Sequence, residues 1–164
     1  MLEIKRILAP IDFTEISDHA LDYAVDLAQQ LGASVTVMHA YELPIYGFPD
    51  GALVATVEVV ARISQASQEA LQAAVSARQD RGVPLTAVLR DGVPWEEIVR
   101  VASEINTDLI VLGTHGRRGL RRAILGSVAE NVIRTSMRPV LAIHAKDAPE
   151  SRTSTAQKGR AAHR

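Results

Sequence analysis

Gly113, Gly116, Gly126 and Ser127 stand at intervals that could do chemistry, giving the pattern G-x2-G-x9-G-S. Glycine has no Cβ, so its backbone lets a ligand approach closely. A serine where a helix begins adds a hydroxyl to the free N–H groups of the first turn. Together these features hold an anion, phosphate above all. Thr114 and His115 lie between the first two glycines, and Arg117, Arg118, Arg121 and Arg122 follow them. Arginine forks bind phosphate oxygens. Arg117 and Arg118 are therefore candidates for direct contact, and Arg121 and Arg122 for the long-range field. A solvated basic face is the other reading of this cluster. His115 reads as a structural or ligand-contacting residue rather than an acid or base.

The elements around the motif support the phosphate reading. Asp108 to Leu112 is an apolar run that predicts a buried strand, and Val128 to Arg134 predicts a helix. Earlier in the chain, Ile4 to Ile11 predicts a first strand. A helix follows, capped by Thr14 or Ser17 and ended by Gly32, with Ala20, Leu21, Ala24, Val25, Leu27, Ala28 and Leu31 at helical spacing. Ser34 to Ala40 predicts a second strand. Residues 42–55 hold Pro44, Gly47, Pro49 and Gly51 and predict a loop. A long helix from Val57 to about Gln79, stopped by Gly82, leads to a strand over Pro84 to Leu89. Asp91-Gly92 turns the chain, Pro94 opens a helix through Glu104, and Pro139 to His144 is the last strand. Strands alternate with helices and read as continuous apolar runs. That pattern implies an α/β fold with a parallel sheet covered on both faces. Residues 1–145 form one domain, and 146–164 read as a flexible, mildly basic tail.

Several chemistries are excluded by spacing. A dinucleotide fold of the Rossmann type needs GxGxxG after its first strand, where this chain has Pro10-Ile11-Asp12-Phe13-Thr14. A P-loop needs a lysine between its last glycine and the hydroxyl residue, and here Ser127 follows Gly126 directly. A GxSxG nucleophile elbow is absent. The 164 residues include no cysteine, which removes disulfides, thiol catalysis and cysteine-ligated metal. His19, His39, His144 and His163 are too scattered to suggest a metal site. The net charge of −1 makes no electrostatic case for nucleic acid. The amino terminus lacks a signal-peptide pattern, and no apolar run approaches the roughly 18 residues of a membrane span. A cytoplasmic protein is expected.

The motif and its surroundings resemble the ATP-binding universal stress proteins. The resemblance runs over about residues 1–145 through "PIDFT", "VTVMHAYE", "GVPWEEIV" and "GTHGRRGLRRAILGSVAENVIRTSMRPVLAIH". It implies an open five-stranded sheet of order 3-2-1-4-5, like that of the adenine nucleotide alpha hydrolases, with ATP across the carboxyl ends of the strands. ADP or AMP stays open, and Mg²⁺ or Mn²⁺ would arrive with the phosphates, held mostly by them and water. By the resemblance, Pro10 shapes the adenine wall and Asp12 meets the nucleoside end. Asp12 also reads as a turn or capping aspartate. Ala40 matches a position that meets adenine and is often valine, and it reads equally as strand filler. Gly113, Thr114, His115 and Gly116 would line the ribose and phosphate path. Gly126, the Ser127 hydroxyl, acting as both cap and ligand, and the Val128 amide would hold phosphate.

Three functions follow from this resemblance. The first is a nucleotide-dependent stress regulator or sensor. The second is a slow ATPase or nucleotide-transferring enzyme on the same site, although no acid–base pair and no SGGxDS or HxGH motif supports it. The third is an interaction module whose site is vestigial. The last strand, Pro139 to His144, would lie at the sheet edge. The family pairs that strand across a two-fold axis, so a homodimer is expected.

Overall fold

The computed structural model describes residues 3–43, 45–48, 51–54, 56–114 and 125–144. The elements are β1 (Arg6–Pro10), α1 (Glu15–Leu31), β2 (Ser34–Tyr41), β3 (Ile45–Phe48), β4 (Gly51–Val54), α2 (Val57–Ser76), β5 (Leu85–Asp91), α3 (Pro94–Glu104), β6 (Leu109–Gly113), α4 (Ser127–Thr135) and β7 (Val140–Ile143). A 3-10 turn, Gln79–Arg81, follows α2. The main sheet is parallel and ordered β5-β2-β1-β6-β7, the expected 3-2-1-4-5 arrangement.

Alternation along the strands divides the core. Ile7, Ala9, Val35, Val37 and Val111 meet Ala20, Leu21, Ala24 and Val25 of α1 and Leu71 and Val75 of α2. Leu8, Met38, Ile110 and Leu112 meet Ile98, Val101 and Ala102 of α3 and Ala129 and Val132 of α4. Both faces of each central strand are thus buried, which explains the unbroken apolar runs. Among the described residues, no helix is long and apolar enough to cross a membrane.

Thr14 is the N-cap of α1, its side chain accepting from the Ser17 N–H, and Gly32 closes the helix in the left-handed conformation at φ 64°. An arginine cluster fixes α1 against the end of α2. Arg78 is buried, and its guanidinium donates to Asp18 at 2.7 Å and Asp22 at 2.8 Å. Arg81 reaches Asp22 and Asp26 from the same side. Burial alone would pull the Arg78 pKa down. The hydrogen bonds and charges of Asp22 and Asp18 outweigh it and hold the group above its ordinary value.

One expectation is corrected. Residues 42–55, predicted as a loop, contain an antiparallel hairpin of β3 and β4, with Ile45 paired to Val54 and Phe48 to Gly51. The proline and glycine content pointed to a loop. Yet Pro49-Asp50-Gly51 is a turn sequence between two apolar runs, which is a hairpin signal. The predicted tail, 146–164, lies outside the described residues.

Candidate functional site

The chain runs from β1 outward to β2 and β5, then crosses back to place β6 and β7 on the other side of β1. Open α/β sheets bind ligands at such a switch point, at the carboxyl ends of the strands. The ladder shows where pairing on each side of β1 ends. β1 pairs with β2 as far as Pro10↔Met38, but with β6 only at Ile7↔Leu109 and Leu8↔Ile110. The Ile11 N–H donates to the Met38 carbonyl at 2.8 Å, toward β2. By alternation, the position where Pro10 lacks an N–H faces β6. Pro10 therefore stands where the two strands cease to pair.

Asp12 follows in a tight turn. Its Oδ1 accepts from the Thr14 N–H at 3.1 Å and the Thr14 hydroxyl at 2.5 Å. Its own N–H donates to the Ser17 hydroxyl at 3.2 Å. This is the Asx turn of the structural reading, and it uses Oδ1 alone. Phe13 next to it has φ 63°, a left-handed conformation unusual for a bulky residue. Its ring centroid lies 4.3 Å from that of His39, whose Nδ1 donates to the Ile11 carbonyl at 2.7 Å. His39 was not picked out from the sequence as part of the site. The signal for it was alternation: Val35 and Val37 face the first core cluster, so a histidine two residues on needs a buried polar partner. Ala40 packs against the second cluster.

The other wall is β6 and α4. Gly113 ends β6, where a Cβ would meet Cγ2 of Ile16 at 2.8 Å. Thr114 is fully buried. Its N–H donates to the Ile143 carbonyl at 3.0 Å, its carbonyl accepts from the Gly126 N–H at 2.6 Å, and its Oγ1 lies 3.1 Å from Nδ1 of His144. The Thr114–Gly126 bond brings together the two ends of the stretch that carries His115, Gly116, Arg117, Arg118, Arg121 and Arg122. Those six residues lie outside the described residues.

Two details of the phosphate reading are corrected here. Gly126, not Ser127, is the N-cap of α4, with φ −61° and ψ 148° and no side-chain cap bond. The Gly126 carbonyl accepts the first helical bond, from the Glu130 N–H at 2.9 Å, which makes Ser127 the first helical residue. The Gly126 N–H is also committed, to Thr114, so Gly126 has no amide to give an anion. The first-turn N–H groups of Ser127, Val128 and Ala129 have no acceptor among the described residues. Ser127 and Val128 are exposed. Asp12 bonds Ser17, whose neighbour Ile16 abuts Gly113, and Thr114 next along bonds Gly126, which brings the Asp12 turn and these amides to the same end of the sheet.

Among the described residues, no group of three or more histidine and acidic side chains is placed to hold a metal ion.

The universal stress protein family model matches residues 3–144. The chain is 35% identical over 141 residues to universal stress protein MJ0531 of Methanocaldococcus jannaschii, covering 85% of this chain and 81% of that one. Among solved structures it resembles a universal stress protein in complex with cAMP, with TM-score 0.63, 26% identity, and coverage of 87% of this chain and 98% of that one. It also resembles the universal stress protein from Archaeoglobus fulgidus in complex with dAMP, with TM-score 0.60, 25% identity, and coverage of 87% and 99%.

Proposed function

This chain belongs to the universal stress protein family, and from that premise we propose that it binds an adenine nucleotide, ATP, as a nucleotide-dependent regulator or sensor of stress. The observation that carries the reading is the first turn of α4. Its Ser127, Val128 and Ala129 amides are held at the carboxyl end of β6 by the Thr114–Gly126 bond. A helix N-terminus with unpaired amides favours an anion through both hydrogen bonds and its dipole. Pairing of β1 with β6 stops before Pro10, where a flat base would sit, and Asp12 retains Oδ2 to accept from a sugar hydroxyl or an amine. The complexes of related proteins with cAMP and dAMP support adenine as the base. Mg²⁺ or Mn²⁺ would ride on the phosphates. His115, Gly116, Arg117 and Arg118 complete the proposed pocket by sequence position. The expected assembly is a homodimer through the outer edge of β7.

Isothermal titration with ATP, with and without Mg²⁺, tests the reading, and AMP and cAMP serve as comparisons. Saturable heat with ATP is expected. Folded protein that gives no heat with any of the three refutes it.

A further inference from the structure

We propose that His39 is a positioning residue for the nucleotide site, holding Asp12 in place by gripping the residues on either side of it. The inference rests on the nucleotide reading for its function, but its geometry stands alone. Nδ1 of His39 donates to the carbonyl of Ile11, immediately before Asp12, at 2.7 Å. The same ring packs against that of Phe13, immediately after Asp12, with centroids 4.3 Å apart and planes tilted by 45°. His39 is only 8% exposed, so both contacts are made away from solvent. A carbonyl can only accept, so Nδ1 must carry a proton.

The grip has something to hold. Phe13 adopts φ 63°, a conformation that costs a bulky residue free energy and persists only where its surroundings impose it. Asp12 contributes an Asx turn to Thr14 and an N–H bond to Ser17. Those bonds fix Asp12 to the start of α1, and its relation to β2 is a separate matter. That relation is set by the Ile11 N–H, bonded to Met38 in β2, and by the next residue of β2, His39. The imidazole therefore ties the turn to the sheet, and the direction of Asp12 Oδ2 depends on it.

A double-mutant cycle on the full chain separates positioning from general damage. ATP is titrated into wild type, His39→Leu, His39→Asn, Asp12→Ala and the His39→Leu/Asp12→Ala pair. His39→Leu should weaken ATP binding about tenfold, as for one lost buried hydrogen bond. In the Asp12→Ala background it should weaken it no further. His39→Asn offers an amide nitrogen near the place of Nδ1 and should recover most of the loss. Equal losses in both backgrounds, no loss at all, or no recovery with asparagine would overturn the proposal. Should His39→Leu fail to fold, Phe13→Leu removes the ring contact and should show the same dependence on Asp12. Amide hydrogen exchange in the ligand-free protein gives a readout that needs no nucleotide. Exchange at Phe13 and Thr14 should rise in His39→Asn and more so in His39→Leu, and unchanged exchange overturns the proposal. If wild type binds no ATP while exchange responds as stated, the nucleotide reading fails and the grip on Asp12 stands.

Discussion

A Cβ on Gly113 would lie 2.8 Å from Cγ2 of Ile16 and 3.2 Å from its carbonyl oxygen. The end of β6 and the first turn of α1 therefore pack closely, the Ile16 side chain and carbonyl filling the space a Cβ would need. This contact links the two walls of the crevice, because Ile16 follows the Asp12 turn and Gly113 precedes Thr114. The need for glycine here comes from helix–strand contact, not from an unusual φ.

Gly113→Ala should consequently destabilise the fold by about 1–3 kcal/mol, the cost of overpacking a close contact. Urea denaturation of the variant against wild type measures it. Unchanged stability would mean that Ile16 yields at no cost and that the glycine is there for a ligand instead. The same variant should also weaken ATP binding, because a displaced Ile16 moves the Asp12 turn.

The first turn of α4 allows the anion reading to be tested with little risk to the fold. Proline is tolerated at the first helical position, and the preceding Gly126 already has the extended ψ of 148° that proline requires. Ser127→Pro removes one N–H and the hydroxyl, whereas Ser127→Ala removes the hydroxyl alone. Thermal stability should stay near wild type in both. ATP affinity should fall about tenfold or more in the proline variant, as expected for a lost charge-assisted hydrogen bond. The alanine variant shows how much of that belongs to the hydroxyl. Full affinity in Ser127→Pro would exclude this amide from the site.

The sheet was legible in the sequence because its central strands are buried on both sides, and Val35, Val37, Ile110 and Val111 read as one apolar signal regardless of face. For the candidate site, glycine spacing pointed to Gly113 and Gly126, which the structure brings close through the Thr114–Gly126 bond. The offset between Gly126 and Ser127 was not, since both residue types cap helices well and only the backbone decides which does. His39 and Arg78 were missed for another reason. Their partners, Ile11 and Phe13 for one and Asp18 and Asp22 for the other, are far away in the chain. Local pattern records that a polar residue falls on a buried face, but not what will satisfy it. The β3–β4 hairpin was misread because turn residues were counted across the whole segment rather than located within it.

Asp108 predicts a pH dependence. Its Oδ2 accepts from the Lys5 N–H at 3.0 Å and the Arg6 N–H at 2.9 Å, at the start of β1. Burial alone would raise its pKa. The two N–H groups and the Arg6 guanidinium outweigh that and hold the carboxyl below its ordinary value. A carboxylate depressed by folding adds stability above its unfolded pKa of about 3.9, and loses it as the pH falls through the folded value. Asp108→Asn should therefore be less stable than wild type at neutral pH, and the gap should close as the pH drops below about 4. Urea midpoints of both proteins across that range measure the gap. A constant difference would mean that the charge of Asp108 contributes nothing.

The proposed dimer can be tested at a single backbone N–H. The Ile110 N–H donates to the Pro139 carbonyl and the Thr114 N–H to the Ile143 carbonyl, so Pro139, Leu141 and Ile143 face β6. Alternation then sends the N–H groups of Val140 and Ala142 to the open edge of the sheet. Proline is accepted on edge strands where its missing N–H points outward. Ala142→Pro should thus leave the β6–β7 ladder intact while removing a donor that pairing across a two-fold axis would use. Sedimentation of the full chain should show a dimer for wild type and a monomer for Ala142→Pro, with matching far-UV circular dichroism. Leu141→Pro, whose lost N–H faces β6, should reduce stability instead. A dimer that survives Ala142→Pro would place the interface elsewhere, and a monomeric wild type would leave the β7 edge to be covered within the chain.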